Sequence, residues 1–99
     1  MPDLTSKQRA HLRGLAHALK PIAHIGKEGV TPASVHAVRQ TLDTHELVKV
    51  RVLETAPESA KATAQALAAQ IDDAAVVQVV GRNLTLYRPD PDAPRIRLP

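Results

Sequence analysis

The chain has no cysteine, no tryptophan and no phenylalanine, and Tyr87 is the only aromatic residue among its 99 residues. The absence of cysteine excludes disulfides, zinc–thiolate sites and thiol nucleophiles. The near-absence of aromatic residues means that the core has to be built from Ala, Val, Leu and Ile. A hydrophobic content of 43% is enough for one compact core of that kind.

Long hydrophobic runs are also missing. Residues 1–7 lack the apolar segment of a signal peptide. The longest aliphatic stretch, residues 74–80, is far shorter than the roughly 20 apolar residues that span a bilayer. We therefore expect a soluble cytoplasmic protein with no membrane association. It should form a single domain over residues 1–99, with a core from about residue 5 to 89 and an irregular proline-rich tail over 90–99.

Acidic residues are scarce in the N-terminal part of the chain. The formal net charge is +3, which alone is a mild bias toward anionic partners. Within the first 29 residues, Asp3 and Glu28 are the only acids. The same stretch contains the basic residues Lys7, Arg9, Arg13, Lys20 and Lys27. Positive charge is therefore concentrated near the N-terminus.

Hydrophobic periodicity, caps and turn residues predict helix, strand, helix, strand, helix, strand, strand. The predicted ranges are 5–19, 22–25, 32–45, 47–53, 56–71, 75–80 and 84–88. Two strand–helix–strand crossovers imply parallel strands with right-handed connections, and the last two strands form a hairpin. We therefore expect an α/β domain with a mixed four-stranded sheet and packed helices. Because residues 75–80 are apolar on both faces, we expect that strand to be central.

Gly26, Lys27, Glu28 and Gly29 lie between a short strand and a helix start capped by Thr31. Flanking glycines let backbone N–H groups approach a phosphate without a Cβ in the way. The helix N-terminus should add free N–H donors and the positive end of its dipole, and Lys27 adds a cation. Glycine-flanked turns are also common as plain connectors, so the pattern alone leaves both interpretations open.

Arg9, Arg13 and His17 recur at i, i+4 and i+8 beside the apolar stripe of the first helix. This spacing predicts a basic ridge, which is either a binding surface or a solvated helix face. The same two alternatives apply to Arg82 in the hairpin turn and to Arg88 near the end of the hairpin.

Three other side chains favour structural roles. Lys49 and Arg51 alternate with valines, which is typical of the solvated face of a strand. A single tyrosine on a strand is more often packed than exposed, so we expect Tyr87 to lie in the core.

Residues for catalysis or metal binding do not occur at suitable spacings. The five histidines include no H-x-x-x-H or comparable ligand pair. The serines lie at helix starts rather than in a nucleophile elbow, and Asp72 and Asp73 lie at a turn where solvated acids are expected. We therefore predict no enzymatic activity, no catalytic residues, no metal site and no cofactor.

Several motifs carry a resemblance to a known family. They are KQRAHLRGLAH at residues 7–17, LKP at 19–21, IGKEGVT at 25–31, HELVKV at 45–50 and LYRP at 86–89. Together they resemble the CRM domain, the chloroplast RNA splicing and ribosome maturation module, in its stand-alone bacterial YhbY form. The resemblance extends from about residue 7 to residue 89.

This resemblance implies a fold similar to the C-terminal domain of translation initiation factor three. It also implies a non-enzymatic assembly factor that binds ribosomal RNA of the precursor large subunit. In that family the G-x-x-G loop is the proposed RNA contact, and the match falls on Gly26, Lys27, Glu28 and Gly29. Glu28 is a departure, because a carboxylate repels phosphate unless it points away or pairs with Lys27.

Without aromatic neighbours, RNA recognition should depend on backbone, shape and arginine planes, with modest sequence specificity. The expected RNA-binding residues outside the loop are Lys7, Arg9, Arg13, Lys20, Arg82 and Arg88. We expect a monomer. The alternative function is a protein-interaction module, in which the exposed edge strand of the hairpin binds a partner and the basic residues keep the domain soluble.

Overall fold

The computed structural model describes residues 4–99, which form three helices and four strands. The elements are α1 (Ser6–Ala16), β1 (Pro21–Ile25), α2 (Pro32–Thr44), β2 (Leu47–Val52), α3 (Ala60–Gln70), β3 (Ala75–Val80) and β4 (Asn83–Tyr87). This order confirms the predicted α/β architecture. In this part of the chain no helix has the length and apolar character needed to cross a membrane.

Side-chain caps fix the starts of the first two helices. The hydroxyls of Thr5 and Thr31 accept hydrogen bonds from the backbone N–H groups of Gln8 and Ser34. The side chains of Gln8 and Ser34 accept in return from the N–H groups of the two threonines. Each helix therefore begins with a reciprocal capping box, which satisfies two of its otherwise unpaired donors.

Two helix boundaries differ from the prediction. α1 ends at Ala16 rather than near Leu19, because the Leu19 N–H bonds back to the Ala16 carbonyl at 3.0 Å and tightens the last turn. α3 begins at residue 60 rather than 56. The Ser59 hydroxyl accepts from the Ala62 N–H, which makes Ser59 the cap and leaves Pro57 in the preceding loop.

The strand order in the sheet is β1-β2-β4-β3. β1 pairs parallel with β2, and β4 pairs antiparallel with both β2 and β3. β3 is therefore an edge strand, and the expectation that it is central was wrong. Its apolar character has another cause: Val76 and Val79 pack on the α2–α3 side of the sheet, while Val77 packs under α1.

Helices cover the two faces of the sheet unequally. α2 and α3 pack on one face over the larger core cluster, whose centre includes Val38, Val50 and Leu67. α1 crosses the other face and covers a smaller cluster, Leu12, Ala16, Leu47, Val77 and Tyr87. Tyr87 is 3% exposed, which confirms its predicted packing role. Beyond α1, the second face of the sheet stays open to solvent, as the exposed Ile22 and Val80 show.

Residues 88–99 contain no helix or strand and run back toward α1. The buried carboxylate of Glu46 accepts backbone hydrogen bonds from Asp90, Arg95 and Ile96, each at 2.7 Å. Burial raises the pKa of Glu46, but the three N–H donors and the charge of Arg95 outweigh it and leave that pKa below its ordinary value. Ile96 and Leu98 then pack against the cluster under α1.

Candidate functional site

The glycine loop is a tight turn that follows β1. The Gly29 N–H donates to the Gly26 carbonyl at 2.9 Å, and Gly29 has a left-handed φ of 67°. A Cβ on Gly29 would lie 3.0 Å from Cγ of Pro57, whereas a Cβ on Gly26 would meet Cδ1 of Leu53 at an ordinary 3.6 Å. The fold therefore requires glycine at position 29 but tolerates a methyl group at position 26.

Lys27 and Glu28 form the exposed tip of the turn. Among residues 4–99, neither side chain has a salt-bridge or hydrogen-bond partner, and their backbone N–H groups have no backbone acceptor. Two amides and one ammonium group are thus available at the tip. Glu28 is not neutralised by Lys27, so its carboxylate stands beside these donors as an uncompensated negative charge.

The N-terminus of α2 offers fewer donors than the sequence suggests. The Ser34 N–H is taken by Oγ1 of Thr31 at 3.1 Å, and the Val35 N–H is taken by the Thr31 carbonyl at 3.0 Å. Pro32 has no N–H. Among the N–H groups in the first turn of α2, only that of Ala33 has no acceptor. An anion here would therefore be bound mainly by the helix dipole and by the free amides of the glycine loop.

Arg82 lies beside the glycine loop. Its backbone carbonyl accepts from the Val52 N–H at 2.7 Å, and its guanidinium donates to the Leu53 carbonyl at 3.3 Å. The Leu53 N–H donates in turn to the carbonyl of Ile25, the residue before the loop, at 2.8 Å. Leu53 thus connects the exposed Arg82 side chain with the glycine loop at one end of the sheet.

The basic residues of α1 divide into different roles. Arg9 is half-buried, and its guanidinium donates to the carbonyls of Val76 and Val77 at 2.6 and 2.9 Å. It therefore caps the edge strand β3, at the point where the register with β4 shifts. Lys7 and Arg13 on the same helix are exposed.

Two other predicted residues lie at the end of the sheet away from the glycine loop. Lys20 is exposed just before β1, about 20 Å along that strand from the loop. Arg88 lies at the same end of the sheet, where its N–H donates to the Glu46 carbonyl at 2.8 Å and its guanidinium forms an ion pair with Asp43. Arg82 and Arg88 flank β4, so they are about 20 Å apart. Arg88 is not brought together with the loop.

The helix α1 and the four strands contain no acidic residues, although the sequence has 10 Asp and Glu residues. The uncovered part of the sheet, here called the open face, consists of Ile22, His24, Lys49, Arg51, Gln78, Val80 and Asn83. The predicted alternation of valines with Lys49 and Arg51 in β2 is confirmed, but the sequence did not indicate that these two cations belong to the candidate site. Lys49 and Arg51 lie on the same face of the sheet as α1. The absence of acidic residues from α1 and from the strands is the sequence signal that could have indicated this shared basic surface.

The C-terminal half of α1 overhangs the open face and forms a cleft of about 370 Å³. Arg13, Gly14 and His17 contribute the helix wall. The sheet contributes Lys49, Gln78, Val80, Asn83 and Thr85. None of these lining residues is acidic. The cleft thus joins the ridge of α1 to the open face.

Comparison with known proteins places this arrangement in a family. Residues 4–88 match the model described as the CRS1 / YhbY (CRM) domain. The chain is 37% identical to a protein of Haemophilus influenzae named "RNA-binding protein", covering 100% of this chain and 98% of that one. It is 35% identical to "Probable RNA-binding protein YqeI" of Bacillus subtilis, covering 97% of this chain and 99% of that one.

A solved structure shares the fold. The solution structure of a hypothetical protein from Staphylococcus aureus matches with a TM-score of 0.82 and 36% identity, covering 98% of this chain and 100% of that one. The fold is therefore a single α/β domain with a mixed sheet, as predicted. The chain belongs to the CRS1/YhbY (CRM) domain family, which confirms the resemblance in the sequence.

Proposed function

We propose that this protein binds RNA without enzymatic activity, and that its target is ribosomal RNA of the precursor large subunit. The observation that carries the proposal is the acid-free open face, which borders the glycine loop and includes the sheet side of the cleft under α1. The RNA-binding names of the relatives support the class of ligand. The ribosomal target follows from the family resemblance.

The loop end of this surface suits a phosphate. The free amides of Lys27 and Glu28, the Lys27 ammonium group and the N-terminus of α2 all lie within residues 27–33. The neighbouring Arg82 adds a second cation. Together these groups provide backbone donors and mobile charges, which is how proteins position a nucleic acid backbone without reading its bases.

The rest of the surface gives the RNA a path. Along β2, Lys49 and Arg51 are successive residues of the open face, and His24 pairs in register with Arg51. From Lys49 to Leu53 beside the loop is about 13 Å along an extended strand. A single RNA strand that follows this line would meet the cations Arg51 and Lys49 in turn, with Arg13 at the far end of the path.

Salt dependence tests the proposal. We expect ribosomal RNA to bind at low ionic strength and to be released by salt, because each phosphate contact contributes about 0.7 to 0.9 to the slope of log affinity against log salt. Lys27→Ala should lower this slope by about 0.7 to 0.9, the contribution of one phosphate contact. Lys61→Ala, on α3 and away from the open face, is the matched control and should leave it unchanged. An unaltered slope in Lys27→Ala would remove the loop from the interface.

Crosslinking in cells tests the ribosomal target. The full chain, irradiated in cells and isolated with its bound RNA, should recover precursor large-subunit RNA above mature RNA. Recovery of unrelated RNAs in equal amount would leave RNA binding intact and reject the ribosomal assignment.

The rival function, a protein partner on the hairpin edge, meets a specific obstacle. The edge strand of the hairpin is β3, and on it Arg9 occupies the Val76 and Val77 carbonyls, which are then not free to accept from a docking strand. The register shift between Val76 and Gln78 interrupts the edge at the same place. Both features protect edge strands from added pairing. The open face therefore supports RNA binding better than the edge supports strand addition.

A further inference from the structure

The cleft under α1 has a charge pattern suited to a phosphate group. Arg13 and His17 extend from the helix, and Lys49 lies half-buried on the sheet opposite them. The other lining residues bring no carboxylate into the cleft. Arg13 and Lys49 are two cations on a partly enclosed space, where salt screens charges less than on an open surface. The cleft should hold an anionic group more firmly than the open face alone.

The sheet side of the cleft carries hydrogen-bonding groups of a different kind. Gln78 and Asn83 are half-buried amides, and Thr85 is a buried hydroxyl between them and Lys49. Within residues 4–99, Oδ1 of Asn83 is buried without a hydrogen-bond partner. Such a group is unfavourable unless something else satisfies it. Rotation about the last side-chain torsion would exchange the two amide atoms and let either face the cleft.

Gly14 keeps the entrance clear. It lies inside α1, where glycine is less favourable than alanine. A Cβ at this position would meet nothing within 4 Å, so packing in the domain does not require glycine there. The missing side chain leaves the rim of the cleft open next to Arg13.

We propose that this cleft binds one unstacked nucleotide of the RNA, an inference that rests on the proposed function and assigns it a second contact site. Arg13, His17 and Lys49 hold the phosphate, and the amides of Gln78 and Asn83 bond to the base edge. The volume of about 370 Å³ falls in the range of small-ligand sites. The cleft has no Phe, Tyr or Trp side chain, so the His17 imidazole and the planar Arg13 guanidinium are the groups that can stack on the base.

The proposal can be tested with the full chain, a short single-stranded RNA of mixed sequence, and inorganic phosphate as a second probe. The RNA should shift the side-chain amide NMR signals of both Gln78 and Asn83. Lys49→Gln should weaken RNA binding about tenfold, because a charge-assisted hydrogen bond is lost. Gln78→Ala should weaken RNA binding while the affinity for inorganic phosphate stays the same.

Lys61→Gln removes the same charge from α3 and is the matched control for Lys49→Gln. If the two variants bind RNA equally well, the cleft proposal is overturned. If the RNA leaves the Gln78 and Asn83 signals in place, the nucleotide assignment is likewise overturned. In either case, salt-sensitive RNA binding that depends on Lys27 would keep the proposed function. Absence of RNA binding by the unmodified chain would instead reject the proposed function itself.

Discussion

Oε1 of Glu46 lies 2.7 Å from the backbone nitrogen of Ile96, 50 residues further along the chain. The same carboxylate accepts from the N–H groups of Asp90 and Arg95. A single buried acid at the start of β2 therefore holds the C-terminal tail against the domain. This relationship could not be read from sequence spacing, and it makes Glu46 a structural residue in a basic protein.

Glu46→Gln should loosen the tail. The amide group of glutamine would place donors against backbone N–H groups, so hydrogen bonds to a charged acceptor would be lost, each worth about 1.5 to 3 kcal/mol. We expect a lower free energy of unfolding in urea and faster amide hydrogen exchange at Ile96. Glu54→Gln, an exposed acid, is the control. Equal stability of the two variants would contradict the tail-anchoring role.

The pKa of Glu46 gives a pH dependence with a defined sign. Because the folded-state pKa lies below the ordinary 4.5, the stabilisation is fully present above that value and is lost as the pH falls through the folded-state pKa. Asp90 also has a lowered pKa, through hydrogen bonds from the backbone of Asp92 and Ala93, and it titrates in the same direction. The difference in stability between wild type and Glu46→Gln should therefore shrink below about pH 4.5 and stay constant between about pH 6 and 8. A difference that grows in acid would contradict the assignment.

The two loop glycines should respond differently to alanine. Gly29→Ala places a Cβ in the left-handed region and 3.0 Å from Pro57, so the free energy of unfolding should fall by about 1 to 2 kcal/mol or more. Gly26→Ala should change stability by about 0.5 kcal/mol or less. Chemical denaturation measures both. Adding Pro57→Ala to Gly29→Ala should recover the part of the loss that comes from the close contact.

Because Gly26→Ala leaves the fold intact, it tests RNA contact directly. A methyl group at this position should weaken RNA binding if a phosphate approaches the backbone there. RNA affinity equal to that of wild type would place the phosphate elsewhere on the loop.

Removing the negative charge at the loop tip should strengthen RNA binding. Glu28 is exposed, and among the described residues it has no salt-bridge partner, so its repulsion of phosphate is uncompensated. Glu28→Gln should raise affinity by about 0.2 to 1 kcal/mol at low salt, and the gain should fade as salt screens it. Asp72→Asn, beyond α3 at the other end of the sheet, should have little effect. A gain of the same size in both variants would indicate a net-charge effect.

Arg9 should matter for stability more than for RNA binding. Arg9→Ala removes two hydrogen bonds from the β3 edge and leaves the Val76 and Val77 carbonyls exposed. We expect a loss of about 1 to 3 kcal/mol in unfolding free energy and greater self-association on sedimentation. Its salt slope for RNA should match that of wild type, whereas Arg13→Ala should lower the slope. A lower slope in Arg9→Ala would show that Arg9 contacts phosphate after all.

Local signals in the sequence predicted the elements well. The caps at Thr5 and Thr31, the alternation of β2 and the hairpin turn between β3 and β4, where Gly81 has a left-handed φ of 57°, are set by neighbouring residues, so a single sequence carries them. The order of strands is different, because β3 and β4 could join the sheet on either side. A strand that is apolar on both faces, such as β3, indicates burial of both faces, which is typical of a central strand. Here the α1 cluster buries part of the second face, although β3 has a neighbouring strand on one side only.

The candidate site was predicted in part for the same reason. Lys27 and its flanking glycines form a local motif, so the sequence alone is enough to propose them. Lys49 was assigned to a solvated strand face, since its position under α1 depends on how the helix crosses the sheet. Arg88 was included because it is basic and lies in a motif, but its ion pair with Asp43 arises from residues far apart in sequence. Long-range packing, rather than composition, decides which cations share a surface.

The tail that Glu46 anchors also brings the two termini of the described chain together. Leu4 and Leu98 pack against the same cluster, and Nε2 of Gln8 donates to the Pro99 carbonyl at 3.3 Å. This cluster includes Leu47 and Tyr87, at the end of the sheet away from the glycine loop. A fluorophore, a surface tether or another domain attached at either terminus would therefore project away from the loop.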